Sequence, residues 1–263
     1  MSQIDVLIRI QDITADPSEI LSIKRNELVP LLSDQYRLNH YADQLIQAQA
    51  VLLNGVDPQL TQQLSQTIEK IIQALANSRK YLKQRKFNAL QKWLGIDLDY
   101  GSSQVEYYKN LDRLLDQASH LSRKLQIEIQ KSQSRFQQLT GLREQMAKHI
   151  LAAEEFLREY PQFVKNQHPL DNFSERLSKK IHTLKTLQAS NDIAITQMQL
   201  SQQLSFSLLD RFKEAQQVLI PAWQYHVKQS NSKHSTSDLE KLDNSRENLI
   251  KTLRKSLEKP SKI

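Results

Sequence analysis

Cysteine is absent from the 263 residues, which excludes disulfides, thiolate nucleophiles and thiolate metal sites. Only four glycines occur, whereas a compact α/β enzyme of this length normally needs more of them for its tight turns. Aromatic residues are scarce too: two Trp, eight Tyr and seven Phe. With 39% apolar residues, the chain suits narrow apolar stripes between helices better than one thick globular core. No window approaches the roughly 18 apolar residues of a membrane span. Asp5 and Arg9 interrupt the first apolar stretch, unlike a secretory signal. Cytoplasmic residence is the expectation by elimination, with peripheral membrane association left open. There is no Gly-rich phosphate loop, nucleophile elbow or metalloprotease helix motif, so the expectation is a non-enzyme without cofactor or metal.

What the chain does contain is charge of both signs, with a basic excess. Thirty-six Lys and Arg stand against 29 Asp and Glu, a formal net charge of +7, which favours an acidic partner surface without naming it. Most charges are interleaved, as on the solvated faces of long helices. The exception runs from Arg79 to Lys92, with no acid between Glu69 and Asp97 and with Tyr81, Phe87 and Trp93 interspersed. Lys80, Lys83, Arg85 and Lys86 are its candidate contacts to phosphate on anionic lipid or nucleic acid. The competing reading makes them the outer face of an amphipathic helix whose Leu82, Leu90 and aromatics pack inward. Asp112, Asp116 and His120 share one helix face at steps of four, where two neighbours could chelate a cation. An exposed hydrogen-bonding row is favoured, because ligands normally converge from several elements. Glu154 and Glu155 fit local pairs with Lys148 or Arg158 across a turn.

The spacing of apolar residues is helical throughout, and the predicted fold class is all-α: an elongated bundle of long antiparallel, coiled-coil-like helices. Residues 1–100 form an N-terminal helical region. In it, Asp16-Pro17-Ser18-Glu19 and Asp57-Pro58 open helices, Pro30 interrupts one, and residues 31–54 read as a single helix. A loop is expected from Gly95 to Ser103, followed by a capping box at Ser103 to Glu106. Residues 101–229 form a long hairpin. Its outgoing helix carries a stripe from Leu111 to Leu157, on the order of 80 Å long if unbroken, with a bend plausible at Gly141. The break falls at Tyr160-Pro161 to His168-Pro169. The return stripe runs from Phe173 to Leu219, packs against the first, and is kinked or ended by Pro221. Residues 230–263 hold a polar linker and a C-terminal helix.

Three segments of the hairpin point further. They are Tyr107-Tyr108-Lys109 leading into the Gln-rich helix, Glu175-Arg176-Leu177 opening the return helix with Ala194-Ile195-Thr196-Gln197-Met198 beyond it, and Val218-Leu219-Ile220-Pro221-Ala222-Trp223-Gln224. Residues 105–228 thereby resemble the bacterial toxic-anion-resistance family, the TelA-like proteins associated with tellurite resistance. Two departures stand out: a polar linker follows Lys228 where the family continues as an apolar-rich helix, and Gln199 to Gln203 replace the family's usual run. The resemblance implies a helical scaffold or adaptor in tellurite resistance or envelope stress, acting through protein partners. Ile220, Pro221 and Trp223 become candidate partner contacts, against a simpler reading as a proline kink capped by an aromatic ring. The alternative function is a basic helical protein binding anionic membrane or nucleic acid.

Overall fold

The computed structural model describes residues 7–78, 96–163, 172–225 and 236–258, and among them every regular element is a helix. In order these are α1 (Pro17–Ile23), a π-turn (Lys24–Leu28), α2 (Val29–Leu31), α3 (Gln35–Asn39), α4 (Asp43–Leu52) and α5 (Pro58–Asn77). Then come α6 (Ile96–Phe163), α7 (Phe173–Glu214), a second π-turn (Ala215–Leu219) and α8 (Thr236–Leu257). The all-α class is thus what the helical period predicts. The two expected caps form: the Asp16 side chain accepts from the Ser18 N–H and that of Asp57 from the Gln59 N–H, each with a proline in the first turn. Such caps satisfy N–H groups that have no partner within the helix.

Three local expectations are corrected, and a fourth, that Pro221 kinks or ends its helix, is narrowed. Residues 31–54 are not one helix: Asp34 caps a new start by accepting from the Arg37 N–H, and Ala42 takes a left-handed conformation at φ 59° between α3 and α4. That strain costs on the order of 1–2 kcal/mol for a residue with a Cβ, and Ala42 packs against the core cluster that contains its neighbours Leu38 and Tyr41. The loop expected at 95–103 is helical from Ile96. Gly101 within it costs only about 1 kcal/mol. Pro161 lies inside α6, which ends at Phe163. Pro221 does not end its helix, since residues 220–225 remain helical.

Both π-turns stop two residues before a proline, Pro30 in one case and Pro221 in the other. A proline inside a helix clashes with the carbonyl four residues earlier. Inserting one residue into the preceding turn is a known way of relieving the hydrogen-bond ladder without breaking the helix.

The chain forms two compact units, each assembled from distant segments: Met1–Gly55 with Lys131–Leu200, and Val56–Gln130 with Ser201–Ile263. In the first, Met146, Ile150 and Phe156 of α6 pack with Phe173, Leu177 and Leu184 of α7, and Ile20, Leu28, Leu31 and Leu38 cover them. Leu139 meets Ile195 and Met198 in a smaller cluster. In the second, Leu111, Leu121 and Leu125 of α6 share a core with Leu208 and Phe212 of α7, enlarged by α5 and α8. Within each unit the stripes of α6 and α7 therefore face each other. Gly141 is accommodated without interruption of the α-helix, with open space where a Cβ would stand.

Candidate functional site

The segment carrying the Ile-Pro-x-Trp resemblance follows the second π-turn in the second unit. Helical geometry sends its residues to opposite sides. Ile220 and Trp223 join the core, Trp223 keeping only 2% of its surface exposed, while Val218, Pro221 and Tyr225 stand outward. The steps of three and four place those last three on one face. The buried indole Nε1–H of Trp223 finds no hydrogen-bond acceptor among the described residues. Of the three candidate contacts in this segment, Pro221 alone is at the surface. Sequence reasoning had passed over its neighbours Val218 and Tyr225.

Lys80, Lys83, Arg85 and Lys86 lie outside the described residues, as do Tyr81, Phe87 and Trp93. Asp112, Asp116 and His120 are all exposed on α6. Among the described residues no three His, Asp or Glu side chains come together as a metal site.

A polar layer that the sequence did not advertise crosses the first unit. Arg143 of α6 is 5% exposed and donates from Nε and an Nη to the two carboxylate oxygens of Asp192 on α7, both at 2.8 Å. This fork-to-fork geometry is the strongest form of the Arg–carboxylate contact. Gln188 donates to the same carboxylate at 2.8 Å and accepts from Gln49 of α4 at 2.9 Å, and Asn191 donates to the Gln49 oxygen. Five side chains from three helices thus satisfy one another. The contacts around Asp192 join α6 to α7 and, through Gln188, to α4.

A second group of charges fastens α1 and the first π-turn to α6. Lys24 reaches Glu155 at 2.7 Å and Glu159 at 2.8 Å, and Lys148 reaches Glu19 at 2.8 Å. Desolvation works against the Lys24 charge, but the two carboxylates outweigh it and raise its pKa. Glu154 pairs with Lys185 of α7. The local pairs expected for Glu154 and Glu155 are therefore replaced by Lys185 of α7 and Lys24 of the first π-turn, while Lys148 is taken by Glu19 of α1.

His149 sits among the same contacts. Its Nδ1 faces the Gln145 carbonyl at 2.8 Å, its Nε2 faces Glu27 at 3.2 Å, and the Tyr41 hydroxyl donates to its backbone oxygen. Both ring partners can only accept, so the imidazolium satisfies both at once. Desolvation alone would lower the pKa, but the Glu27 and Gln145 contacts outweigh it, and the value rises above 6.5. A raised folded-state pKa contributes stability that is full below pH 6.5 and is lost as pH climbs through the raised value. Thermal melts across that window should show the midpoint falling as pH rises. Glu27→Gln should flatten the slope, and an unchanged slope would show that His149 is not its source.

Fold and contacts together define an all-α protein whose buried ionic groups join helices and whose outer faces carry scattered apolar side chains. Among curated proteins the chain is similar to Protein KlaA of Escherichia coli. The two are 29% identical over 192 residues, which cover 71% of this chain and 72% of KlaA. No protein-family model matches the chain, and no solved structure matches it. Among the described residues no helix is long and apolar enough to cross a membrane.

Proposed function

We propose that this chain is a non-enzymatic helical scaffold or adaptor of a bacterial toxic-anion response, with tellurite the foremost stress, working in the cytoplasm through protein partners. The observation that carries this reading is the disposition of the Ile-Pro-x-Trp segment. Ile220 and Trp223 build the second unit's core, and the same turn holds Val218, Pro221 and Tyr225 outward. An apolar row fixed on a rigid turn is what a helix-docking partner reads. The TelA-like resemblance of residues 105–228 supplies the physiological setting, and the similarity to KlaA extends over more of the chain than that resemblance does.

The test is growth on tellurite of a host from which the gene has been deleted. Sensitivity should rise on deletion, return to normal with the wild-type chain, and stay high with Val218→Asp/Tyr225→Asp at equal abundance. Growth that is indifferent to deletion would end the proposal. The alternative, a polyanion binder, rests on the basic segment and the charge of +7. It requires binding to anionic vesicles or nucleic acid that weakens steeply with salt and disappears when Lys80, Lys83, Arg85 and Lys86 are reversed to Glu.

A further inference from the structure

Lys70, Gln73 and Asn77 stand three and four residues apart on α5, and Asn110, Arg113 and Gln117 repeat that spacing on α6. Such steps put each trio on one face of its helix. The second unit brings the two rows together as the exposed walls of a groove of about 370 Å³. Half-buried Ala74 and buried Leu114 form its floor. There the Tyr107 hydroxyl of α6 donates to the Ala74 carbonyl at 2.9 Å, and Ile71 and Leu75 of α5 share a core with Leu111 and Leu115 of α6. The spacing of the walls is therefore set by a packed interface and not by the polar side chains themselves.

Every side chain on the two walls can donate a hydrogen bond, and two of them are cations. No carboxylate lines the groove: Glu69, Asp112 and Asp116 belong to the same helices but not to this surface. Nor are the two cations engaged within the chain. Lys24, Arg143, Lys148 and Lys180 each hold a carboxylate in the first unit. Among the described residues Lys70 has no ion pair, and Arg113 meets only the Asn110 oxygen, at a long 3.4 Å. Donors gathered without an acidic partner are what an oxyanion requires. Two cations match an anion of about two charges, and a phosphate group at neutral pH carries roughly −1.5 to −2 with several acceptor oxygens. A carboxylate brings one charge and two oxygens. No aromatic ring lines the groove to stack a nucleobase.

We propose that the groove between α5 and α6 binds a phosphate group, either free phosphate or the terminal phosphate of a lipid headgroup, through Lys70 and Arg113 with Gln73, Asn110 and Gln117 as amide donors. Asn77 contributes least, because α5 ends there and the negative end of the helix dipole repels an anion within the last turn. The anion therefore sits towards the Lys70 end of the α5 row. Because the walls are exposed, each contact is weak on its own, and affinity for free phosphate is on the order of 1 mM. This site goes beyond the adaptor reading and needs neither it nor the basic segment from Arg79 to Lys92.

The experiment uses the full chain. Inorganic phosphate is titrated into isotope-labelled protein at constant ionic strength made up with sodium chloride, and the side-chain amide resonances of Asn and Gln are followed. A subset should move and saturate. Lys70→Gln/Arg113→Gln should weaken binding about tenfold or more, with unchanged circular dichroism and melting temperature, since both side chains are exposed. Arg113→Lys, which keeps the charge and loses the planar fork, should fall between the two. Lys109→Gln/Arg123→Gln removes the same charge from exposed positions of α6 outside the groove and should stay within about twofold of the wild type. The second arm is cosedimentation with phosphatidylcholine vesicles with and without phosphatidic acid, whose headgroup ends in a phosphate monoester. Pelleting that needs phosphatidic acid and is lost in Lys70→Gln/Arg113→Gln assigns the lipid source, and saturating shifts without pelleting assign the free anion. Silence in both arms overturns the proposal, and so does a response that falls equally in the Lys109→Gln/Arg123→Gln control. A response that survives Lys70→Gln/Arg113→Gln also overturns it, because phosphate then binds elsewhere on the chain. Shifts of these amides with a glutamate-rich peptide and none with phosphate would make the ligand a carboxylate and overturn it as well.

Discussion

Leu125→Asp is expected to melt the second unit at a far lower temperature than the wild type, at a cost of about 4 kcal/mol or more. Leu125 is fully buried in the core that α6 and α7 share with α5 and α8. Removing a buried leucine side chain alone costs roughly 2–5 kcal/mol. The aspartate adds a carboxylate that must either be buried without a partner or drag water into the core. Leu208→Asp, on the facing side of the same core, should behave alike. Ile127→Asp is the control, because Ile127 lies two residues along α6 with 52% of its surface exposed and should change stability by no more than about 0.5 kcal/mol. Thermal melts of the three variants decide the matter: unchanged melting in both leucine variants would mean that these stripes do not face each other.

In the first unit the largest effect is expected from splitting Arg143 and Asp192. Arg143→Leu leaves the Asp192 carboxylate with Gln188 as its remaining donor, in a place where it is only 24% exposed. Removing one partner of a buried ion pair costs roughly 3–5 kcal/mol, and the residual exposure of Asp192 brings the expectation to about 2–3 kcal/mol. Arg143→Met combined with Asp192→Leu should recover much of that loss, since an apolar pair of similar volume needs no desolvation of charge. The cycle of two single variants and the double, followed by denaturant unfolding, should give a coupling of about 1.5–3 kcal/mol. A double variant as unstable as the sum of the singles would show that the pair is not a unit.

Helical period and end signals were legible in the residues. Asp16-Pro17 and Asp57-Pro58 open helices as read, and the stripes from Leu111 and from Phe173 are the faces that become buried. Those features depend on residues within one or two turns, and the physics that reads them has the same range: a cap acts over three residues and an amphipathic face over seven. Where the local signals competed, the reading failed. The capping box at Ser103 to Glu106 is a local start signal, yet the helix already includes Ile96. Pro30 and Pro221 announce a disturbance, but not that one extra residue in the preceding turn absorbs it.

Tertiary structure alone decided which elements share a core and which charges meet. Nothing near Glu155 in sequence points to Lys24, near Asp192 to Arg143, or near Gln188 to Gln49, because those partners stand 131, 49 and 139 residues away and become neighbours only when apolar stripes close on one another. The same holds for Ile220 and Trp223. Their sequence is equally suited to docking a partner or capping a core, and the core claims them because α5, α6 and α8 already form an apolar surface for that face of the turn to cover. Residue pattern sets what a helix can bury. Burial itself belongs to whatever surface the rest of the chain brings against it, since the gain comes from apolar area removed from water and not from the stripe alone.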